Sequence, residues 1–333
     1  METYVPLIDI AGFASGDAAT KARIAAEVGR AFRTSGFLVL TGHGVAGEAI
    51  DAAFDRAHAF FALPVEEKRR SAPPSVDVFR GYNGIASQRS GNDYTKALPP
   101  DLRENFMMSR IDVTDPYFRT PAFGNTYAPN IWPAQPADYR AVWERFYREM
   151  DGLAKRLMRI AATALAMPED FFDATLDRCS STCVANHYPA QPEEPLPGQV
   201  RAGAHSDVGS VTLLLQERSR SGLQVLGRDE TWHDVVAARH DVIVNVGDLL
   251  AQWTNDVWVS TRHRVVNPPR AQANTARMSL AFFQHPNHDA VIAPIASCVT
   301  ADRPARYAPI SAGEHMHRRM MQARTWASEA AAD

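Results

Sequence analysis

The 333-residue chain reads as a β-rich α+β protein, with a sandwich or jelly-roll core in its C-terminal half, a helical and mixed N-terminal region before it, and a helix at its C-terminal end. Three observations predict this. After Cys179 the sequence breaks into short β-branched, aliphatic and aromatic runs at Val184–Tyr188, Val211–Gln216, Leu223–Leu226, Val242–Val246, Val257–Val266 and Met278–Gln284. Several short strands at near-regular spacing make a closed or double sheet. Before them, three segments carry apolar residues at helical spacing. Finally, 45% hydrophobic against 22% charged residues gives apolar mass for a sizeable core.

In order along the chain, residues 17–35 place Ile24, Val28, Ala31 and Phe32 on one helical face, with Gly36 as a stop. Phe37 to Leu40 is a short apolar strand, and Thr41-Gly42-His43-Gly44 a turn. Ile50, Phe54, Ala57 and Phe61 trace a second helix that ends before Pro64. Residues 64–135 hold Pro73-Pro74, Pro99-Pro100 and Pro133 without periodicity, which predicts long loops with short helices. From Pro136 to Met167 the helical stripe Val142, Phe146, Leu153, Leu157 and Ile160 predicts a long spine helix, closed by Pro168. Ser311 to Ala327 reads as the last helix.

Composition excludes several classes of function. Lysine and arginine number 35 against 38 acids, net −3, so nothing is built as a polyanion binder for nucleic acid or anionic membrane. Three cysteines without a CxxC, no basic and apolar leader at the N-terminus and no apolar run near 18 residues point to a soluble cytoplasmic protein. Oligomeric state leaves no readable mark.

Eleven histidines are enough to hide a metal site. Ala204-His205-Ser206-Asp207 sets an imidazole and a carboxylate at i and i+2, which in a strand point to one side. Fifty-six residues on, Ser260-Thr261-Arg262-His263-Arg264-Val265 puts a histidine in an alternating segment, with Thr261, His263 and Val265 on one face. Two histidines and one carboxylate are the facial set that leaves three open positions on a non-haem Fe(II). Arg277 and Ser279 share a strand face with Ala281 and Phe283. An inward guanidinium needs an anionic partner, and a carboxylate suits its fork. Taken singly, each has a plainer reading: a chance HxD match, a core histidine, a structural ion pair. His285-Pro286-Asn287-His288 and His315-Met316-His317 read as surface imidazoles.

Taken together, HSD, STRHRVVNPP and RMSLAFF resemble the isopenicillin N synthase-like branch of the Fe(II)/2-oxoglutarate-dependent oxygenases. Asn186-His187-Tyr188-Pro189, Thr212 to Gln216, Asn245-Val246-Gly247-Asp248, Gly42-His43-Gly44-Val45 and Arg80-Gly81-Tyr82 extend the likeness from about residue 5 to about 320. Departures fall at Asn255 to Ser260 and at Asn83 to Lys96.

The resemblance implies a double-stranded β-helix (jelly-roll) core at 180–290, an N-terminal region at 5–120, spine helices at 136–178 and a C-terminal extension with a helix at 291–330. It implies that His205, Asp207 and His263 bind Fe(II), and that Arg277, Ser279, Tyr188 and Asn186 hold 2-oxoglutarate. O2 is then the oxidant, and a small molecule is hydroxylated, desaturated or cyclised with release of succinate and CO2. Phe283, Trp258, Tyr82, Arg80 and Phe106 are the candidate substrate pocket. Arg80, Arg89, Arg103 and Arg110 cluster in the irregular region, where one could meet an anionic substrate. The rival readings are an isopenicillin N synthase-type oxidase working without 2-oxoglutarate, an ethylene- and succinate-forming enzyme, a zinc hydrolase using the same ligands, and a non-catalytic jelly-roll protein.

Overall fold

The computed structural model describes residues 4–75, 77–91, 99–217 and 222–319. The strands are β1 (Leu7–Asp9), β2 (Phe37–Thr41), β3 (Gly81–Asn83), β4 (Glu104–Ser109), β5 (Thr182–Tyr188), β6 (Ala202–His205), β7 (Val211–Gln216), β8 (Leu223–Leu226), β9 (Trp232–Asp234), β10 (Val242–Val246), β11 (His263–Val265) and β12 (Arg277–Gln284). The α-helices are α1 (Ala18–Thr34), α2 (Gly47–Phe61), α3 (Val65–Arg69), α4 (Tyr139–Ala164) and α5 (Asp248–Trp253). One sheet runs β1-β2-β10-β7-β12-β5-β4-β3 and a second β6-β11-β8-β9, while Val291–Ile292 and Ile310–Ser311 pair antiparallel as β13 and β14 in a small third sheet. The inner faces of the first, larger sheet and of the second, smaller one oppose each other, which is the jelly-roll arrangement.

The pleat sorts side chains between two cores. Met278, Leu280 and Phe282 of β12 join Leu213, Leu215, Val244 and Phe106 in a core shared with α1, α2 and α4. Alternate positions on the same sheet, Phe37, Val39, Ile243 and Tyr188, pack against Ala202, Leu223, Val225 and Val265 of the smaller sheet. Both faces of the large sheet are therefore buried, so its strands read as nearly continuous apolar runs.

The helices follow their local signals. Asp17 caps α1 by accepting from the Thr20 amide at 2.8 Å. Gly36 ends it at φ +69°, and a Cβ there would collide with the Val259 carbonyl.

Three expectations are corrected. The segment 64–135 holds two paired strands, β3 and β4, hidden because β4 (ENFMMS) carries no β-branched residue. The strand expected at Val257–Val266 shrinks to β11: Asn255 and Asp256 adopt left-handed φ of 51° and 61°, and the Val259 amide bonds the Phe32 carbonyl instead of a neighbouring strand. Strands β6 and β9 carried too few residues to register. Residues 312–319 are helical, and the rest of the helix expected to Ala327 lies outside the described residues, as does Lys96.

A buried carboxylate ties the N-terminal half to the sheet. Glu104 accepts from Lys68 Nζ at 2.8 Å and Tyr82 Oη at 2.6 Å, and meets His187 Nδ1 at 2.8 Å. Burial raises its pKa, and the bonds from His187, Lys68 and Tyr82 outweigh that and hold it below the ordinary carboxylate value. Glu104→Gln leaves Lys68 buried beside a neutral group, and the expected loss in chemical denaturation is about 3 kcal/mol; a loss below about 1 kcal/mol would show the network to be dispensable.

Candidate metal and cosubstrate site

His205 is the last residue of β6 and His263 the first of β11, and the two are direct cross-strand partners. The register slips by one residue between this pair and Val265 opposite Ala202, an irregularity of the ladder right beside the histidine pair. The 58-residue separation in sequence is thus closed by one strand pairing, and the imidazole centroids lie 4.4 Å apart.

Asp207 is not on a strand, as the i, i+2 reading had it. The chain leaves the sheet after His205, and the Asp207 carbonyl accepts from the Asp248 amide at 2.7 Å at the start of α5. Gly209 in the same turn lies against the Gln284 carbonyl and the His285 ring, with no room for a Cβ.

Hydrogen bonds fix which atoms face the centre. His205 Nδ1 donates to the Gly203 carbonyl at 2.7 Å and His263 Nδ1 to the Thr261 carbonyl at 3.2 Å, which leaves Nε2 of each ring turned to the centre. These atoms lie 3.7 and 3.6 Å from Asp207 Oδ1. The other oxygen, Oδ2, accepts from Thr212 Oγ1 at 2.5 Å and Asn245 Nδ2 at 2.7 Å. The sequence reading gave Thr212 and Asn245 no role, although their places in β7 and β10 put both on the inner face.

Burial, and then the charge of His263, push the His205 imidazole down to about 4. Burial raises the Asp207 carboxyl, but the imidazoles and the two side-chain donors outweigh it. At neutral pH these two groups are a neutral imidazole and a carboxylate, the forms in which they bind metal. The three ligand atoms all lie within 4.8 Å of one another. Two imidazoles and one carboxylate gathered on one side define a facial-triad metal enzyme of the non-haem oxygenase kind.

Arg277 lies farther along the inner face. It is buried, its Nη1 donates to Ser279 Oγ at 3.0 Å, and its guanidinium stacks 4.7 Å over the Tyr188 ring. Among the described residues Nε and Nη2 are buried with no hydrogen-bond partner, as a guanidinium built for a planar carboxylate would be. Arg277 pairs with Tyr188 and Ser279 with Asn186 across β12 and β5. Asn186 Oδ1 accepts from Arg103 Nη1 at 3.0 Å.

Of the candidate pocket residues, the half-buried Phe283 stays on the Arg277 face. Four others are corrected. Tyr82 and Phe106 are cross-strand partners on the helix-covered face, Tyr82 held by Glu104 and Phe106 packed on Phe60, Tyr139 and Trp143. Trp258 is fully buried edge-on to Phe32 in the same core. Arg80 donates to the Phe79 and Thr126 carbonyls, both at 2.7 Å, and pins loops together. His285, expected at the surface, is buried just beyond β12.

Comparison with known proteins agrees with this geometry. Residues 5–135 match the family described as the non-haem dioxygenase in morphine synthesis N-terminal region, and residues 179–286 the 2OG-Fe(II) oxygenase superfamily. A 2-oxoglutarate-Fe(II) type oxidoreductase of Metarhizium rileyi is 30% identical over 96% of this chain and 91% of its own. The crystal structure of a full-length Neurospora crassa protein in complex with α-ketoglutarate superposes with a TM-score of 0.84 at 32% identity, covering 96% of each chain. The complex of that protein with α-ketoglutarate and thymine gives 0.82 at 30% identity, over 98% of this chain and 97% of that one.

The chain belongs to the isopenicillin N synthase-like Fe(II)/2-oxoglutarate-dependent oxygenases. It is a 2-oxoglutarate-dependent dioxygenase that uses Fe(II), 2-oxoglutarate and O2.

Two outcomes follow from the site. Asn245→Ala frees one of the two bonds on Asp207 Oδ2 and weakens divalent-metal binding about tenfold in a direct titration, with the fold intact; unchanged affinity would mean that Asn245 does not orient the carboxylate. His285 is pushed by burial from 6.5 to about 4, so the unfolded chain binds its proton before the native one does. His285 alone then lowers the stability of the metal-free protein by about 3 kcal/mol as pH drops through that window, beside the parallel effect of His205. His285→Gln makes the slope shallower in melts followed against pH; an identical slope would contradict the assignment.

Proposed function

We propose that His205 Nε2, Asp207 Oδ1 and His263 Nε2 hold the iron, that Arg277, Ser279, Tyr188 and Asn186 hold 2-oxoglutarate, and that the enzyme oxidises a small molecule presented beside Phe283. The carrying observation is the pairing of a preformed three-ligand cluster with a buried guanidinium that keeps two donors unmatched. A zinc hydrolase needs the first and has no use for the second. The thymine complex of the Neurospora crassa protein supports a small substrate.

The bound iron and 2-oxoglutarate supply activation of O2, coupled to oxidative decarboxylation of the oxo acid to succinate and CO2. The chain's own residues supply position. Thr212 and Asn245 keep Asp207 from rotating, and the two backbone carbonyls lock the imidazole tautomers. Ser279 and the Tyr188 ring aim the Arg277 fork at the distal carboxylate of the oxo acid. Phe37, edge-on to His263 at 5.4 Å, and the inner apolar core keep water from the ligand side of the cluster. Among the described residues no helix is long and apolar enough to cross a membrane, and the three buried free cysteines suit a reducing cytoplasm.

The test is release of labelled CO2 from 2-oxoglutarate labelled at its 1-carboxylate, with iron and O2. The wild-type enzyme releases it, and Arg277→Gln weakens 2-oxoglutarate binding about a hundredfold by removing the buried charge partner. Oxygen uptake without 2-oxoglutarate consumption, or an Arg277→Gln variant with unchanged affinity, would overturn the assignment.

A further inference from the structure

Of the arginines in the irregular N-terminal region, Arg80 and Arg110 are occupied by backbone carbonyls. Arg110 bonds those of Asp112, Cys179 and Asp177 and stacks on Phe118. Arg103 is different. It stands immediately before β4 and reaches the inner face, where its Nη1 donates to Asn186 Oδ1. Its side chain is 18% exposed. Asn186 is the cross-strand partner of Ser279, so Arg103 sits on the sheet face that carries the Arg277 anchor, and its charge is felt at both His205 and Arg277.

Among the described residues, Arg103 Nε is buried without a hydrogen-bond partner, and the acid nearest to it, Asp101, stands at 3.6 Å, beyond hydrogen-bond reach. Its two oxygens are already taken, Oδ1 by the Gly203 amide at 3.0 Å and Oδ2 by the Ser90 amide at 2.8 Å. Asp101 therefore lowers the cost of burying the guanidinium without filling its fork.

Beside it runs a polar row of three carboxamides and a hydroxyl, since Asn83, Asn105, Asn186 and Ser279 are Cα partners across four adjacent strands. Asn83 Nδ2 donates to Asn105 Oδ1 at 3.0 Å and Asn105 Nδ2 to Gln88 Oε1 at 2.7 Å, so this row is fixed by its own bonds. A rigid polar wall beside a fork with an unmatched donor is suited to a planar anion.

We propose that Arg103, positioned by Asn186, is a second carboxylate anchor at the metal centre, separate from the one Arg277 provides. This rests on the oxygenase reading above. The carboxylate belongs either to the substrate or to the metal-proximal end of 2-oxoglutarate.

The experiment uses full-length Mn(II)-loaded protein, which binds without turning over. Calorimetric titrations use 2-oxoglutarate, and then benzoate, phenylacetate and hexanoate with their primary amides on protein saturated with 2-oxoglutarate. Arg103→Gln that weakens 2-oxoglutarate itself about tenfold assigns the anchor to the cosubstrate. Arg103→Gln that spares 2-oxoglutarate and weakens an acid of the panel about tenfold, while the matched amide fails to bind wild-type protein, assigns it to the substrate.

Asp101→Asn removes the competing charge and keeps one of the two acceptor oxygens, its NH2 replacing the other beside a backbone amide, so in protein whose melt shows the fold intact carboxylate binding tightens about threefold; a purely structural Arg103–Asp101 pair predicts no such gain. If Arg103→Gln does not fold, as judged by its melt, Arg103→Lys and Asp101→Asn carry the test. The proposal is overturned if the folded variants bind 2-oxoglutarate and every acid as the wild type does, or if no acid binds wild-type protein and 2-oxoglutarate affinity is unchanged. Arg277→Gln is the control: unchanged 2-oxoglutarate affinity there would sink the oxygenase assignment, whatever Arg103 does.

Discussion

The pairing of His263 with His205 across two strands of the smaller sheet is the contact on which the centre depends. It brings residues 58 apart in sequence into one cluster and leaves the third member to a turn. That turn is held from outside, by the Asp248 amide on its carbonyl and by Thr212 and Asn245 on the carboxylate. The larger sheet thus supplies support and the smaller sheet supplies imidazoles. A metal held between the two sheets would also fasten them together, adding its binding free energy to the stability of the fold.

The large sheet does two jobs because both of its faces are buried. One packs on the helices through Met278, Leu280 and Phe282, and the other carries Arg277 and Ser279 toward the cluster. The period of two in β12 therefore separates scaffold from chemistry within one strand. The same sorting explains the pocket corrections, since Tyr82 and Phe106 have the right chemistry on the wrong face.

Much of this was legible in the residues. The helices α1, α2 and α4 showed through their apolar spacing, and β7, β8 and β10 through their β-branched runs, because those signals are local. The His205, Asp207 and His263 cluster and the buried Arg277 showed as a set, because few arrangements other than a metal centre need HSD, a distant histidine and an inward Arg-x-Ser together. What stayed hidden was settled by distant partners. Residues 257–262 alternate like a strand, but the left-handed turn at Asn255 and Asp256 and the bond from Val259 to α1 claim them first. Trp258 looked like a pocket residue until Phe32 arrived beside it, and Arg103 looked like one of four similar arginines until the other chain segments took up its neighbours.

The central claim is that the folded chain presents a ready three-ligand site made by one strand pairing and one pinned turn. Anaerobic Fe(II) titration of the metal-free protein tests it most directly. The account predicts one equivalent bound per chain, and in His263→Ala a binding weakened by about two orders of magnitude, with the metal-free melt little changed. Wild-type protein that takes up no iron, or a His263→Ala variant that binds it as tightly, would contradict the account.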